Sequence, residues 1–277
     1  MRNFLRRTTR RGILTLLGGL LVTLPFSALA ASKDQSPVLS RIAKSGTIRV
    51  GMSGGQPPFN VTNRDGKIIG MDVDLAGLLA GALNVELEIV DMPFGQLLPA
   101  LESGKVDLVI SGMTATLQRN MRAAFVGPYH ITGKSILARS ETIAAMGKNE
   151  LNRADLRVAA LAGSTSEEFV KAVAPDAKLV TTETYDEAID LLLANKVELF
   201  VADASIIMLS MLRWPDAGLT AAGKPLTIEP IGIAVPPGDP LLLNLIENYM
   251  AAMEASGALE ALHKKWFQSG GWLVQLP

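Results

Sequence analysis

Three short polar segments of the sequence carry side chains suited to binding a small charged molecule. The first spans residues 111–119, where Gly112 would permit close approach of a ligand to the backbone and Thr114 supplies a hydroxyl. Arg119 ends this segment, and its planar guanidinium could bind a carboxylate through two parallel hydrogen bonds. Taken alone, Arg119 also fits a surface salt bridge, because a cation near the start of a helix opposes the helix dipole.

The second segment, residues 163–168, follows an apolar stretch and includes Gly163, Ser164 and Thr165. Its backbone N–H groups could cradle an oxyanion at the start of a helix. The pair Thr165 and Glu168 also predicts a capping box, so a purely structural role is equally consistent with the sequence.

The third segment is a single residue, Asp203, between an apolar stretch and the start of a predicted helix. Its carboxylate could cap that helix or receive the ammonium group of a ligand. The sequence alone leaves both interpretations open. No other unassigned carboxylate stands out at the end of a predicted strand.

The elements around these segments alternate between strand and helix patterns. Such alternation predicts parallel-rich sheets flanked by helices, and ligands bind where strands end and helices begin. Asp72 is expected to cap its helix, and Thr116 to cap a short helix that reaches residue 124. The predicted strands cover residues 47–51, 86–90, 106–110, 157–161, 178–181, 198–202 and 228–235. The predicted helices cover residues 72–83, 97–101, 166–173, 185–194, 204–212, 241–255 and 258–267.

The first thirty residues have the pattern of an export signal. Five arginines and no acidic residue precede an apolar run over residues 13–26, which is followed by the small-residue site Ala28-Leu29-Ala30. This order predicts a signal peptide cleaved after Ala30, since the apolar run is shorter than the roughly 20 residues that span a bilayer. The pair Arg10 and Arg11 also fits a twin-arginine signal, so the export route, Sec or twin-arginine, stays open.

The composition of the remaining chain excludes several classes of protein. Removing the five arginines leaves 21 of the 26 basic residues against 27 acidic ones, a net charge of about −6, so a nucleic-acid partner is not expected. The sequence contains no cysteine, which excludes disulfides, thiolate metal sites and a lipidated cysteine. We predict a monomer, free in the periplasm, that uses no cofactor and no metal.

Several motifs occur along the chain in the order typical of one family. Together they resemble the family 3 periplasmic solute-binding proteins, the polar amino-acid receptors of ABC importers, and they cover nearly the whole mature chain. The matching stretches are Ile48-Arg49-Val50-Gly51, Pro57-Pro58-Phe59, Gly70-Met71-Asp72-Val73-Asp74-Leu75-Ala76, Leu98-Pro99-Ala100-Leu101, Gly104-Lys105-Val106-Asp107, residues 112–119, residues 163–168, Asp203 and Lys264-Lys265-Trp266-Phe267.

The resemblance implies an α/β protein of two lobes, each a parallel-rich sheet flanked by helices, joined by two crossover strands that let the lobes close over a ligand. Residues 1–30 would be the signal peptide. The first lobe would comprise residues 31–132 and 230–277, and the second lobe residues 133–229. Function would be capture of an amino acid or a similar small zwitterion or carboxylate, delivered to the permease of an ABC importer without catalysis.

By the same resemblance, Arg119 would hold the ligand's α-carboxylate with help from Thr114, Ser164 and Thr165. Asp203 and the Gly112 carbonyl would bind the α-ammonium group. The two aromatic residues Phe59 and Phe94 match positions of apolar wall residues, although core packing explains them as well, and Phe59 better than Phe94.

Two positions depart from the family's pattern. Ser53 stands where the family often has an aspartate, and Gln56 where it often has an aromatic residue that stacks on the ligand. Without that carboxylate, a cationic side chain on the ligand has no partner. Lysine, arginine and ornithine are therefore expected to bind poorly.

Three other functions are compatible with parts of the sequence. Ser53 lies in a Gly-x-Ser-x-Gly pattern that, with Asp203 and His263, keeps the chain order of a serine hydrolase, but Pro57 after it forbids the helix such an elbow needs. A cyclohexadienyl dehydratase would share the fold and add a general acid in the cleft. A sensing role cannot be separated from transport on sequence.

Overall fold

The structure, a computed structural model, describes residues 35–145 and 150–276. The predicted signal peptide, its cleavage site and the arginine pair all lie outside the described residues. Within the described part of the chain, no helix combines the length and the apolar character that a membrane span requires.

Helices and strands alternate along most of the chain. The helices are α1 Pro37–Ser45, α2 Met71–Leu83, α3 Leu97–Glu102, α4 Leu117–Asn120, α5 Ser140–Ala145, α6 Thr165–Val173, α7 Tyr185–Leu193, α8 Ala204–Arg213, α9 Pro240–Ala255 and α10 Ala258–His263. The strands are β1 Thr47–Met52, β2 Gly55–Gln56, β3 Asn60–Thr62, β4 Ile68–Ile69, β5 Glu86–Asp91, β6 Leu108–Val109, β7 Ala124–Thr132, β8 Lys134–Arg139, β9 Arg157–Leu161, β10 Lys178–Thr182, β11 Leu199–Asp203, β12 Leu219–Ala221 and β13 Glu229–Val235.

Two five-stranded sheets organise the molecule, one for each lobe. The first has the order β5-β1-β6-β13-β7, with β1 parallel to β5 and β6, and β13 antiparallel to β6 and β7. The second has the order β10-β9-β11-β8-β12, with β9 parallel to β10 and β11, and β8 antiparallel to β11 and β12. The predicted α/β fold with two lobes is confirmed. The antiparallel strands lie near the two connections by which the chain passes from one sheet to the other.

The central strands are apolar because both faces of each sheet are covered. All five residues of β11 are buried, and Ile48 and Val50 of β1 have no exposed surface. Continuous apolar runs of this kind are typical of strands buried on both sides, in contrast to the alternation seen where one face meets water.

The chain passes between the two sheets at two adjacent connections. Lys134 begins β8 directly after the first, and its backbone N–H donates to Thr227 Oγ1 of the second at 2.9 Å. A Cβ on Gly133 would collide with the Thr227 carbonyl oxygen, so a glycine lets the two connections approach each other. The lobe boundaries at residues 132/133 and 229/230 remain a prediction.

Two sequence expectations about this framework are wrong. Asp72 does not cap α2; the N-cap is Gly70, and the Asp72 carboxylate accepts hydrogen bonds from Tyr129 Oη and Asn60 Nδ2, both at 2.7 Å. Thr116 does cap α4, but that helix ends at Asn120, because the chain must extend again to pair as β7 from residue 124.

Candidate functional site

Arg119 reaches from the first lobe to the second. Thr116 caps α4 by accepting a hydrogen bond from the Arg119 N–H at 3.2 Å, which fixes the turn that carries the arginine. The guanidinium donates to the Thr114 carbonyl at 2.9 Å and to the Gly163 carbonyl of the second lobe at 3.1 Å. With only 7% of its surface exposed, the side chain lies inside the molecule rather than in a surface salt bridge.

Arg119 is held by uncharged partners. Among the described residues, no carboxylate lies within salt-bridge distance of its guanidinium, and burial lowers the pKa of Arg119, an effect that the more distant Glu168 and Glu229 oppose. Two of the five N–H groups of the guanidinium bond carbonyls, which leaves donors for a ligand. The Phe94 ring lies 5.5 Å from the guanidinium carbon, a cation–π contact that covers one side.

The polar groups beside Arg119 meet across the two lobes. Thr114 Oγ1 lies 3.5 Å from Thr165 Oγ1 at the start of α6. Ser164, by contrast, spends its hydroxyl on the helix: Oγ accepts from the N–H groups of Ser166 and Glu167, each at 3.2 Å, and donates to a carbonyl. We call Arg119, Thr114 and Phe94 the arginine end of the cleft.

The predicted capping box of Thr165 and Glu168 is wrong by one residue. Ser164 is the N-cap of α6, and the carboxylate of Glu167 accepts from the Gly163 N–H at 2.7 Å. Because Ser164 caps the helix, Thr165 Oγ1 is not used for capping. It contacts Thr114 Oγ1 and Glu229 Oε2 instead.

Asp203 ends β11 and stands immediately before α8, yet its side chain makes no capping hydrogen bond. The capping interpretation is therefore wrong. Its Oδ1 instead accepts from Lys134 Nζ at 2.6 Å, with both side chains almost fully buried. Burial raises the pKa of Asp203, and the charge of Lys134 opposes that rise.

Glu229 completes this cluster from the first residue of β13. Its Oε2 accepts from Thr165 Oγ1 at 3.1 Å and lies 3.5 Å from Lys134 Nζ. Its Oε1 accepts from Thr227 Oγ1 at 2.8 Å. We call Lys134, Asp203 and Glu229 the lysine end of the cleft.

Sequence analysis missed Lys134 and Glu229. The expectation that no further carboxylate stands at a strand end is wrong, because Glu229 begins β13 and 93% of its surface is buried. A signal was present: each is a lone charged residue at the edge of an otherwise apolar stretch. Their meeting depends on the two connections lying side by side, which spacing in the sequence does not reveal.

Tyr185 lies within electrostatic reach of both ends. Burial raises the pKa of its phenol well above the ordinary value, the negative charge of Asp203 raises it further, and Arg119 lowers it. The pKa of this one buried hydroxyl therefore depends on charges at both the arginine end and the lysine end.

The remaining predicted site residues of the first lobe form a network beneath the cleft. Gln56 Nε2 donates to Ser53 Oγ at 2.8 Å and to the Ser111 carbonyl at 3.0 Å, so both predicted residues are already partnered. The Gly112 N–H donates to Tyr129 Oη at 3.1 Å. The backbone of Gly112 is left-handed, with φ of 53°, which explains the choice of glycine.

Phe59 is placed in the core rather than on the cleft wall. Only 1% of its surface is exposed, and its ring packs edge-on against His130 and Phe267, with centroids 5.3 Å apart in each case. The structure also removes the serine hydrolase alternative, since Ser53 Oγ bonds Asn60 and Gln56 while His263 contacts His130 and Phe267.

Two cavities contrast in chemistry. One of about 210 Å³ opens beside Arg119, with Phe94, Gly163 and Glu168 in its wall. A larger one of about 470 Å³ is mostly apolar and contains none of the residues predicted to bind a ligand. The smaller cavity, not the larger one, contains Arg119 and Phe94 of the arginine end. Across the described residues, no three His, Cys, Asp or Glu side chains come together as a metal ion would require.

Comparison with known proteins agrees with this architecture. Residues 48–269 match the family model described as bacterial extracellular solute-binding proteins, family 3. The ABC transporter arginine-binding protein 1 of Escherichia coli (strain K12) is 28% identical over 257 residues, which cover 91% of this chain and 97% of that protein. A cyclohexadienyl dehydratase of Pseudomonas aeruginosa is 24% identical, over 90% of this chain and 92% of that protein. An ancestral amino-acid-binding protein, described as a precursor of cyclohexadienyl dehydratase, has a solved structure with a TM-score of 0.77 and 34% identity, covering 83% of this chain and 99% of that one.

Proposed function

Because the chain belongs to the bacterial extracellular solute-binding proteins of family 3, we propose that it captures an amino acid or a similar small carboxylate and delivers it to an ABC importer. The observation that carries this proposal is the buried guanidinium of Arg119, which bonds two carbonyls and, within the part of the chain that the structure describes, no acid. A buried cation is costly unless an anion pairs with it, so the arginine end suits a ligand carboxylate.

The position of Arg119 between the lobes supports a closing mechanism. Its bonds to Thr114 in the first lobe and Gly163 in the second join the two sides of the cleft. A ligand held by both lobes favours the closed form by its greater contact there, and the importer would then receive the closed, loaded protein. We propose that the protein acts in the periplasm after export and does not convert its ligand.

A second candidate is an enzyme resembling cyclohexadienyl dehydratase, and two observations favour it. One relative carries that name, and Glu229 places in the cleft the kind of acidic group such an enzyme needs. The hydrogen bonds of Glu229 point to a different role, because each of its oxygens accepts from a threonine hydroxyl and neither donates a proton.

A thermal-shift screen of the purified protein against amino acids and small carboxylates tests the proposal. Ligand that binds only the native state stabilises it by RT ln(1 + [L]/Kd), so a true ligand raises the melting temperature as its concentration rises. Arg119→Ala on the same plate controls for unspecific stabilisation. If no carboxylate shifts the melting temperature, the proposal fails; if mass spectrometry detects loss of water from a cyclohexadienyl carboxylate, the enzyme is the better description.

A further inference from the structure

Lys134 changes what the lysine end of the cleft can accept. Its ammonium group lies 2.6 Å from Asp203 Oδ1 and 3.5 Å from Glu229 Oε2, with only 2% of its side chain exposed. Asp203 is the residue expected, from the family resemblance, to bind a ligand's α-ammonium group. In this chain that carboxylate already holds an ammonium group belonging to the protein.

We propose that Lys134 takes the place of the ligand's α-ammonium group, so that the ligand is a carboxylate with a keto or hydroxyl oxygen where an amino acid has its amine. This inference rests on the proposed function and specifies its ligand class. The carboxylate binds Arg119, and the oxygen on the neighbouring carbon faces Lys134.

Lys134 is held as a built part of the site rather than as a loose side chain. Its backbone N–H donates to Thr227 Oγ1, and the same hydroxyl donates to Glu229 Oε1. One threonine therefore positions both the lysine and one of its two carboxylate partners. The tight approach at Gly133 fixes the backbone immediately before it.

A ligand ammonium group would meet a like charge in this arrangement. Two ammonium groups on the two oxygens of one carboxylate lie roughly 5 Å apart, from ordinary hydrogen-bond lengths. In a buried site, repulsion at that separation is weakly screened. An amino acid would have to bind against Lys134 or displace it from Asp203.

An oxygen acceptor fits the same position without that conflict. A lysine ammonium group has three N–H donors: one bonds Asp203, and a second faces the charge of Glu229 without a hydrogen bond. The third can be donated to a keto or hydroxyl oxygen. A site that binds an ammonium group presents hydrogen-bond acceptors to it, whereas Lys134 presents an N–H donor at this position.

Calorimetry with matched ligands tests the inference. The full chain is titrated with sets that share a side chain and differ only at the α-carbon: glutamate, 2-oxoglutarate and 2-hydroxyglutarate, and the corresponding sets for leucine, phenylalanine and alanine. We expect at least one oxo or hydroxy acid to bind 10-fold or more tightly than its amino acid. Tighter binding of the amino acids overturns the inference and leaves the proposed function standing, whereas no binding by any member overturns the proposed function itself.

The variant Lys134→Met sharpens the result, because it keeps the side-chain volume and removes the charge. The preference should reverse toward the amino acid, since Asp203 is then free to bind an ammonium group. Lys134→Met leaves the carboxylates of Asp203 and Glu229 without their cation. If that variant does not fold, the double variant Lys134→Met with Glu229→Gln removes one of these charges and allows the same measurement. Lys264→Met, at a lysine paired with Glu260 on the surface, should leave the preference unchanged. An unchanged preference in Lys134→Met would overturn the inference.

Discussion

At the arginine end of the cleft the partners that the structure describes for a buried cation are two carbonyls and an aromatic ring, whereas at the lysine end a buried carboxylate already bonds an ammonium group. Arg119 donates to Thr114 and Gly163, and no acid among the described residues lies within salt-bridge distance. Asp203 accepts from Lys134 at 2.6 Å. Both ends are closed to water to a similar degree, so the difference is in charge pairing and not in burial.

This difference in charge pairing shows at which end a ligand can gain binding free energy. A buried charge that lacks a partner gains most when a ligand supplies the opposite charge. A buried pair that is already complete gains little from a further charge and is harmed when one partner is lost. Ligand affinity should therefore depend mainly on the arginine end, and folding stability mainly on the lysine end.

The largest expected effect is on binding when Arg119 is removed. Arg119→Ala should cost about 4 kcal/mol of binding free energy, because it removes a desolvated, charge-assisted pair with the ligand carboxylate. Its free energy of unfolding should fall by less, about 1 kcal/mol for each lost carbonyl bond. Calorimetry and chemical denaturation of the same preparation measure both quantities.

Arg153 offers a control for general charge. It pairs with Asp155 at the surface and does not line the cavity beside Arg119, so Arg153→Ala should leave ligand affinity unchanged. Arg119→Lys keeps the charge and loses the planar fork, and should bind with intermediate affinity. Equal losses in Arg119→Ala and Arg153→Ala would show that the effect is one of general charge.

The next effect is on stability at the lysine end. Asp203→Asn should lower the free energy of unfolding by about 2 to 3 kcal/mol, below the usual cost of breaking a buried pair because Glu229 remains near Lys134. A double-mutant cycle with Lys134→Met isolates the pair, and the double variant should be more stable than the sum of the two single losses predicts. Strict additivity would mean that Lys134 and Asp203 do not interact in solution.

A smaller effect is the loss of folding stability at low pH, which limits the pH range in which variants at the two ends can be compared. Burial lowers the pKa of His130 from 6.5 to about 4, so its contribution to stability is complete above pH 6.5 and is lost as the pH falls through about 4. His130→Gln should flatten this part of the curve of melting temperature against pH.

Asp72 provides the opposite sign in the same experiment. Burial raises its pKa from 3.8 to about 6, so its contribution is complete below pH 3.8 and is lost as the pH rises through about 6. Asp72→Asn should therefore steepen the loss of stability on acidification. If both variants change the slope in the same direction, the buried environments assigned to the two groups are wrong.

The smallest effect distinguishes the two aromatic residues. Phe94→Leu should weaken ligand binding by about 1 kcal/mol, because the ring covers the guanidinium of Arg119. Phe59→Leu, in the core against His130 and Phe267, should lower the free energy of unfolding without changing the affinity of the folded protein for its ligand. The reverse pattern would place Phe59, and not Phe94, on the wall of the cleft.

Much of the framework and half of the cleft could be predicted from sequence. The strand at residues 157–161 matches β9 residue for residue, and Arg119 was found because its polar segment is local and fits a family motif. Local patterns were less reliable for caps: Ser164 and not Thr165 begins α6, a shift of one residue that hydrogen-bond geometry decides. Asp72 resembles a cap in sequence, but its partner Tyr129 is distant in the chain.

The lysine end could not be predicted for a different reason. Lys134 and Glu229 lie on separate connections, and only the adjacency of those connections brings them together. Pairing between residues so far apart in sequence is a property of topology, which composition and periodicity do not encode. The resemblance to the family named Asp203 as an ammonium site and gave no indication that Lys134 would occupy it.

A crystal structure of the protein with its tightest-binding ligand would show both ends of the cleft at once. We expect the ligand carboxylate to lie within hydrogen-bond distance of the Arg119 guanidinium while Lys134 Nζ still bonds Asp203. A ligand ammonium group bonded to Asp203 with Lys134 turned away, or a carboxylate bound away from Arg119, would contradict this expectation.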